Sequence, residues 1–299
     1  MAEGLLSSGT TTGVSAVLKR SAGADRLGAW ILIAPAVVLV GVCFIYPLVS
    51  LISRSFLEPT PGLGQYVSVL TDETSMTILL RTFLVALLVT AVTLVLGYPY
   101  AYLMTLVKPR TRAFLMFLVL LPFWSSLMAR TFAWIALLHP EGVVVTMLRA
   151  VGLGEVKLLG SQLGVTIAMV QVLLPFMVLP LYSTMSGIDR RLLDAALSMG
   201  ASRLRAFARV YLPLSLPGIA AGSVLLFIMS LGFWVTPRLI GSPQESLIGQ
   251  LIETRVGKLL DFPGAGALST VLLLVTLVLL LISAGALRRT PGAVAGGAR

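Results

Sequence analysis

Charge is what this chain has least of. Only 11% of its 299 residues are Asp, Glu, Lys or Arg, against 57% for the hydrophobic types. A soluble globular chain carries roughly 25% charged residues, so this one has too few to cover a surface facing water. The same shortage excludes a disordered chain, which is polar and charge-rich. Cysteine and histidine are each present once, as Cys43 and His139. An intrachain disulfide is therefore impossible, and so is a zinc site with several Cys or His ligands. Cys43 lies inside one apolar run and His139 ends another, so they read as a small core residue and an interfacial imidazole. No GxxxxGK(S/T) phosphate loop is present, since Gly257-Lys258 is followed by Leu259. No GxSxG elbow is visible either. No catalytic residue, metal site or cofactor site is expected, and the chain does not read as an enzyme.

What the sequence does contain is long apolar runs. A membrane helix needs about 20 mostly apolar residues, and six stretches qualify: about 30–53, 82–107, 113–138, 163–187, 217–237 and 264–287. One charge lies within them, Arg130. The first run is too long for a cleaved signal peptide and reads as a retained helix. The expectation is an all-α, polytopic membrane protein. Residues 1–27 form an N-terminal tail, 28–288 a six-helix domain and 289–299 a C-terminal tail.

Six spans place both termini on one side. The segments on that side hold 14 Lys and Arg with four acids; the other eight cations and eight acids fall elsewhere. The net charge of +10 is thus concentrated on one face, which reads as membrane topology and not as nucleic-acid binding. By the positive-inside rule both termini are cytoplasmic, in an inner (plasma) membrane.

Pro35, Pro47, Pro99, Pro122, Pro175 and Pro180 lie within the spans. Each removes a backbone donor, which is tolerated where neighbouring helices or a wet cavity satisfy the freed carbonyl. This favours transport over simple anchoring. No internal repeat and no intramembrane Asp, Glu or His is found, which weighs against a carrier driven by protons or sodium. If the protein transports, energy enters from a partner.

The longest cytoplasmic connection, about Gly187–Leu216, is amphipathic. Ile188, Leu192, Ala195/Ala196 and Met199 follow the spacing of one helix face. Asp189 suits the start and Gly200 a left-handed end. Ser202 suits the start of a second short helix, with Leu204, Phe207, Ala208 and Tyr211 on one face and Pro213 and Pro217 beyond. Such apolar faces must be covered, by lipid or by a partner.

Asp194-Ala195-Ala196, three residues, Gly200, nine residues, then Val210-Tyr211-Leu212-Pro213 resembles the EAA loop of ABC importer permeases. That motif reads EAA, three residues, G, nine residues, I-x-L-P. Both spacings match; Asp194 stands for Glu and Val210 for Ile. The resemblance extends over roughly residues 27–290. Ala34-Pro35-Ala36 with Tyr46-Pro47, Pro122-Phe123-Trp124 with Arg130-Thr131, and Leu231–Pro237 with Leu239-Ile240-Gly241 look like the spermidine/putrescine-like branch.

The resemblance implies the type I ABC importer permease fold, with a second permease subunit, a cytoplasmic ATP-binding subunit and an external solute-binding protein. It implies an ATPase-coupling loop of Asp194, Ala195, Ala196, Met199, Gly200, Leu204, Val210, Leu212 and Pro213. Gly200 should allow a sharp turn where a side chain would clash or unwind the cap. Trp124, Ser125, Ser126, Arg130, Phe233, Trp234 and Thr236 are candidates for the translocation path. Arg130 can equally snorkel to headgroups. Gly218-x-x-x-Gly222 reads as close helix packing. The implied solute is a polyamine or a related small amino compound, although the spans hold no acid to meet a cation. A secondary carrier and a non-transporting scaffold stay open as alternatives.

Overall fold

The computed structural model describes residues 33–58, 61–152 and 156–288. The tails expected over 1–27 and 289–299, and the first residues of the expected run 30–53, lie outside the described residues. Among the described residues the chain is helical and contains no strand. Among the described residues six helical stretches are long and apolar enough to cross a membrane: Ile33–Leu57, Glu73–Leu106, Leu127–Ala150 (two helices joined by a turn at 139–142), Gln162–Ser186, Arg203–Leu231 and Phe262–Ser283.

In chain order the elements are α1 (Ile33–Leu57), α2 (Gly64–Thr71), α3 (Glu73–Leu106), α4 (Pro109–Leu120), α5 (Leu127–Leu138), α6 (Val143–Ala150), α7 (Gln162–Ser186) and α8 (Arg191–Ser198). Then come α9 (Arg203–Leu231), α10 (Val235–Ile240), α11 (Ile248–Gly257) and α12 (Phe262–Arg288).

The centre is a three-helix packing of α3, α7 and α9. Its core is methionine- and leucine-rich, with Met104, Met169, Leu173, Met177, Leu181 and Leu226 fully buried. Close approach depends on small residues. A Cβ on Gly218 would sit 2.8 Å from the Thr184 side chain, and one on Gly222 would sit 2.9 Å from the Met177 sulfur. The Gly218/Gly222 pair is thus a packing notch between α9 and α7. Pro175 and Pro180 lie inside α7 without ending it, because α7 is wrapped by neighbours on both sides. The second cluster is smaller. Val69, Ile78, Ile248, Ala267 and Leu268 join α2, α3, α11 and α12, and α1 packs on α12.

Two expected spans are not single helices. The run 113–138 is divided into α4 and α5 by a 3₁₀ turn over Leu121–Trp124. Pro122 lacks the donor and the room needed to continue α4. The run 217–237 stops at Leu231, and Gly232–Trp234 separates it from α10. Glycine is the weakest helix former here and takes the break.

At about 1.5 Å per residue, α3 is long enough to fix two ends of the molecule. At its C-terminal end Arg190 Nη2 donates to the Thr105 carbonyl, and nearby Arg112 donates to the Tyr182 hydroxyl at 3.2 Å. Toward its N-terminal end the Thr82 hydroxyl accepts from Ile248 N at 2.9 Å. The segments 187–213 and 241–261 therefore occupy opposite ends of the bundle.

Candidate functional site

The 187–213 loop is built by capping. The Asp189 carboxylate accepts from Arg191 N at 3.0 Å and so serves the start of α8. At the other end Gly200 adopts φ +86°. Its N–H donates to the Leu197 carbonyl at 2.9 Å, and Ala201 N donates to the Ala196 carbonyl at 3.1 Å. These two bonds are the paired closure of a Schellman turn, and the left-handed residue they need is why glycine stands at 200. Ser202 Oγ then accepts from Arg205 N at 3.4 Å and opens α9.

The apolar faces are rotated from the expected ones. On α8 the residues turned to the bundle are Leu193 and buried Ala196, while Ile188 packs on the main core before the helix begins. Leu192, Ala195 and Met199 point away and are exposed. In the second helix Leu204 does not share a face with Phe207 and Tyr211. It is 78% exposed, and Ala206 is buried in its place. The cause is local geometry: Phe207–Tyr211 form a π-turn, which widens the helix and shifts the register of its faces. Pro213 follows directly and has no N–H for the Arg209 carbonyl. The expected clash at Gly200 is also absent, since a Cβ there meets nothing within 4 Å. The constraint at Gly200 is its backbone angle alone.

The loop is thus two-sided. Its inner side grips α3 through an aromatic cluster. Tyr102 packs edge-on to Phe207 at 5.6 Å and to Tyr211 at 5.1 Å, and Phe207 stacks on Tyr211. The Tyr98 hydroxyl lies 3.0 Å from Ser215 Oγ. These α3 tyrosines escaped the sequence reading. Their i, i+4 spacing was visible, but nothing in it indicated which element they would meet. A groove of about 290 Å³ runs between the two parts, with Leu193, Asp194, Leu197 and Arg203 on its loop side. The outer side carries Leu192 (48% exposed), Met199 (82%) and Leu204 (78%). Val210 and Leu212 are half-buried and Pro213 is exposed, at the junction with the bundle.

The seven path candidates fall at the two helix breaks. Trp124 is 71% exposed and packs on Phe117 of α4 at 5.6 Å. Ser125 donates to the Pro122 carbonyl at 3.0 Å, and Ser126 is exposed at the start of α5. Arg130 is half-buried, and its Nε is buried without a hydrogen-bond partner. Within the second break Phe233 packs on the main core, and Trp234 stays partly exposed. Thr236 is fully buried, with its hydroxyl 3.4 Å from that of Thr131. It joins α10 to α5 beside Arg130 and offers no surface to a solute in this conformation.

The chain matches the model of the family described as "Binding-protein-dependent transport system inner membrane component" over residues 113–289. It is 37% identical to the spermidine/putrescine transport system permease protein PotB of Haemophilus influenzae, over 60% of this chain and 64% of that protein. It is 34% identical to PotB of Escherichia coli, over 76% of this chain and 83% of the relative. A solved bacterial alginate ABC transporter, in complex with an alginate pentasaccharide-bound periplasmic protein, superposes with a TM-score of 0.68 at 20% identity. That match covers 88% of this chain and 94% of the other, and it shows a shared fold. The break-and-loop architecture and these matches agree: the chain is a member of the binding-protein-dependent transport system inner membrane component family, with the fold of an ABC importer permease.

Proposed function

We propose that this chain is the permease subunit through which an ATP-driven importer takes up polyamines or related small amino compounds. Its 187–213 loop docks on a cytoplasmic ATP-binding subunit. The observation that carries this reading is the outer side of the loop. Fully burying a Leu or Met side chain is worth about 1.5–3 kcal/mol, yet Leu192, Met199 and Leu204 stand exposed on a turn closed by Gly200. A rigid helical turn with a bare apolar face is the shape expected of a helix seated in a partner's groove.

The clustering of Arg190, Arg112 and Lys108 at the same end of the bundle supports a cytoplasmic loop and cytoplasmic termini, by the positive-inside rule. A second permease chain is supported by a further relative, the spermidine/putrescine transport system permease protein PotC of Escherichia coli, which is 36% identical over 42% of this chain and stands beside PotB among the relatives. An external solute-binding protein follows from the family's description. The polyamine reading rests on the PotB relatives and on the aromatic residues at the two breaks, whose ring faces attract cations.

The test is a pull-down of the intact chain and of Gly200→Asp in mild detergent. A soluble ATPase should accompany the intact chain, and the variant should lose it or lose coupled uptake while staying in the membrane. A chain that purifies alone and still moves solute into vesicles would point instead to a secondary carrier.

A further inference from the structure

We infer that Glu245 is the residue that meets a protonated amine of the solute, at the end of the bundle opposite the coupling loop. This deepens the proposed import of amino compounds and rests on it. An importer of cations has a difficulty in this sequence: the expected spans hold no Asp or Glu. The 241–250 segment offers a solution.

Unlike an ordinary surface connection, that segment is exposed only at Pro243 and Gln244. Leu247 and Ile248 are buried to within 2%, and they belong to different clusters. Leu247 sits in the main core, and Ile248 packs with α2, α3 and α12. The chain here fills the seam between the two packed units. Both flanks are clamped to α3: Arg81 Nη1 donates to the Gln244 carbonyl, and Ile248 N donates to Thr82 Oγ1 at 2.9 Å. Gln250 closes the turn by accepting from Leu247 N at 3.2 Å. Glu245 stands inside this clamped stretch, half-buried, and its Oε2 is buried without a hydrogen-bond partner. A buried carboxylate oxygen with no donor is costly, and nearly all such groups in folded proteins are paired.

The chemistry that would pair it is an alkylammonium donor. Four residues on, Gly249 lies against Trp234, where a Cβ would come within 3.0 Å of the Trp234 Cβ. Trp234 follows the break that ends α9 and is partly exposed. A carboxylate on this segment and an indole on the neighbouring 232–234 break, which meets the segment at Gly249, are the two kinds of group that recognise an ammonium ion.

The test uses the complete transporter, with its ATPase, both permease chains and binding protein, in proteoliposomes. ATP-driven uptake of labelled putrescine and spermidine is compared for wild type, Glu245→Gln, Glu245→Asp and the remote control Glu58→Gln. Glu245→Gln should raise KM tenfold or more for both amines, with Glu245→Asp recovering most of the loss and Glu58→Gln unchanged. The loss should shrink for a neutral analogue in which a hydroxyl replaces an amine, a selectivity that mere loss of structure would not give. Equal KM for wild type and Glu245→Gln, or an equal loss for charged and neutral solutes, overturns the inference. Calorimetric titration of putrescine into the same transporter separates the two readings. If wild type takes up neither amine yet binds putrescine in a Glu245-dependent way, the polyamine reading falls and the Glu245 site stands. No Glu245-dependent binding and no such uptake sinks the site.

Discussion

The two segments that leave the bundle at its opposite ends, 187–213 and 241–261, are similar in length and opposite in construction. The first turns its leucines and a methionine outward and holds its shape by capping. The second turns Leu247 and Ile248 inward, bonds its backbone to α3 and ties its surface with the ion pairs Arg238–Glu253 and Arg255–Asp261. The first end leaves apolar area on the turn itself to be covered by something else; the second packs Leu247 and Ile248 inward and leaves Leu259 and Leu260 exposed only where it turns into α12. In an importer these are different tasks. A surface that transmits force must be rigid in itself yet complete only with its partner, whereas a surface that receives solute must be positioned before anything arrives.

The comparison can be broken by substitutions that damage one end and spare the other. The largest effect should come from charging the bare face. Met199→Asp with Leu204→Asp should abolish ATP-coupled uptake, a loss of at least about a hundredfold, while the melting temperature moves little, because both side chains are exposed. Uptake within twofold of wild type would remove the loop from the coupling path. The reverse pattern is expected at the other end. Leu247→Ala, in a fully buried position, should cost about 2–5 kcal/mol of stability, read as a lower denaturation midpoint. ATPase co-purification of the folded fraction should be unchanged.

The notch between α9 and α7 lies at neither end and sharpens the contrast. Gly218→Val puts atoms where Thr184 already stands and should cost about 1–3 kcal/mol or more by overpacking. Gly200→Ala meets no neighbour and should cost about 1 kcal/mol through its left-handed angle alone. Thermal denaturation of the two variants side by side checks the order.

The smallest effect is electrostatic and lies at the α3 start. The Ser75 hydroxyl and amide donate to Asp72, and those hydrogen bonds hold its carboxyl below the usual value of 3.8. A lowered folded pKa contributes stability that is complete above the unfolded value and disappears as pH falls through the folded one. Between pH 5 and pH 3 the Asp72→Asn variant should therefore lose less stability than wild type in paired melting curves. Parallel curves would remove Asp72 from the acid response.

Much of this was legible in the residues. The six apolar runs, the spacing from Asp194 to Pro213, the left-handed turn at Gly200 and the cap at Ser202 all follow from local chemistry, and local chemistry is written in order along the chain. The errors came where a third dimension decides. The exposure of Leu204 depends on the π-turn before Pro213, and a heptad-like count assumes a uniform helix. The division of 113–138 at Pro122 was available as a kink but not as a break, because apolar composition does not distinguish them. The aromatic grip of Tyr98 and Tyr102 on Phe207 and Tyr211 joins residues about 110 positions apart. The buried placement of Leu247 and Ile248, and of the Glu245 Oε2 beside them, could not be read from a segment whose composition looks like a polar loop.

Contact between the ATPase and the apolar face of the 187–213 loop can be caught by site-directed cross-linking. With Cys43→Ser removing the only native cysteine, Met199→Cys and Lys258→Cys place one thiol at each end. Each is combined with the ATP-binding subunit and a short bifunctional reagent in native membranes. A docked loop gives an ATPase adduct from Met199→Cys and none from Lys258→Cys. An adduct from Lys258→Cys, or no ATPase adduct from Met199→Cys in a transporter that still imports, would contradict it.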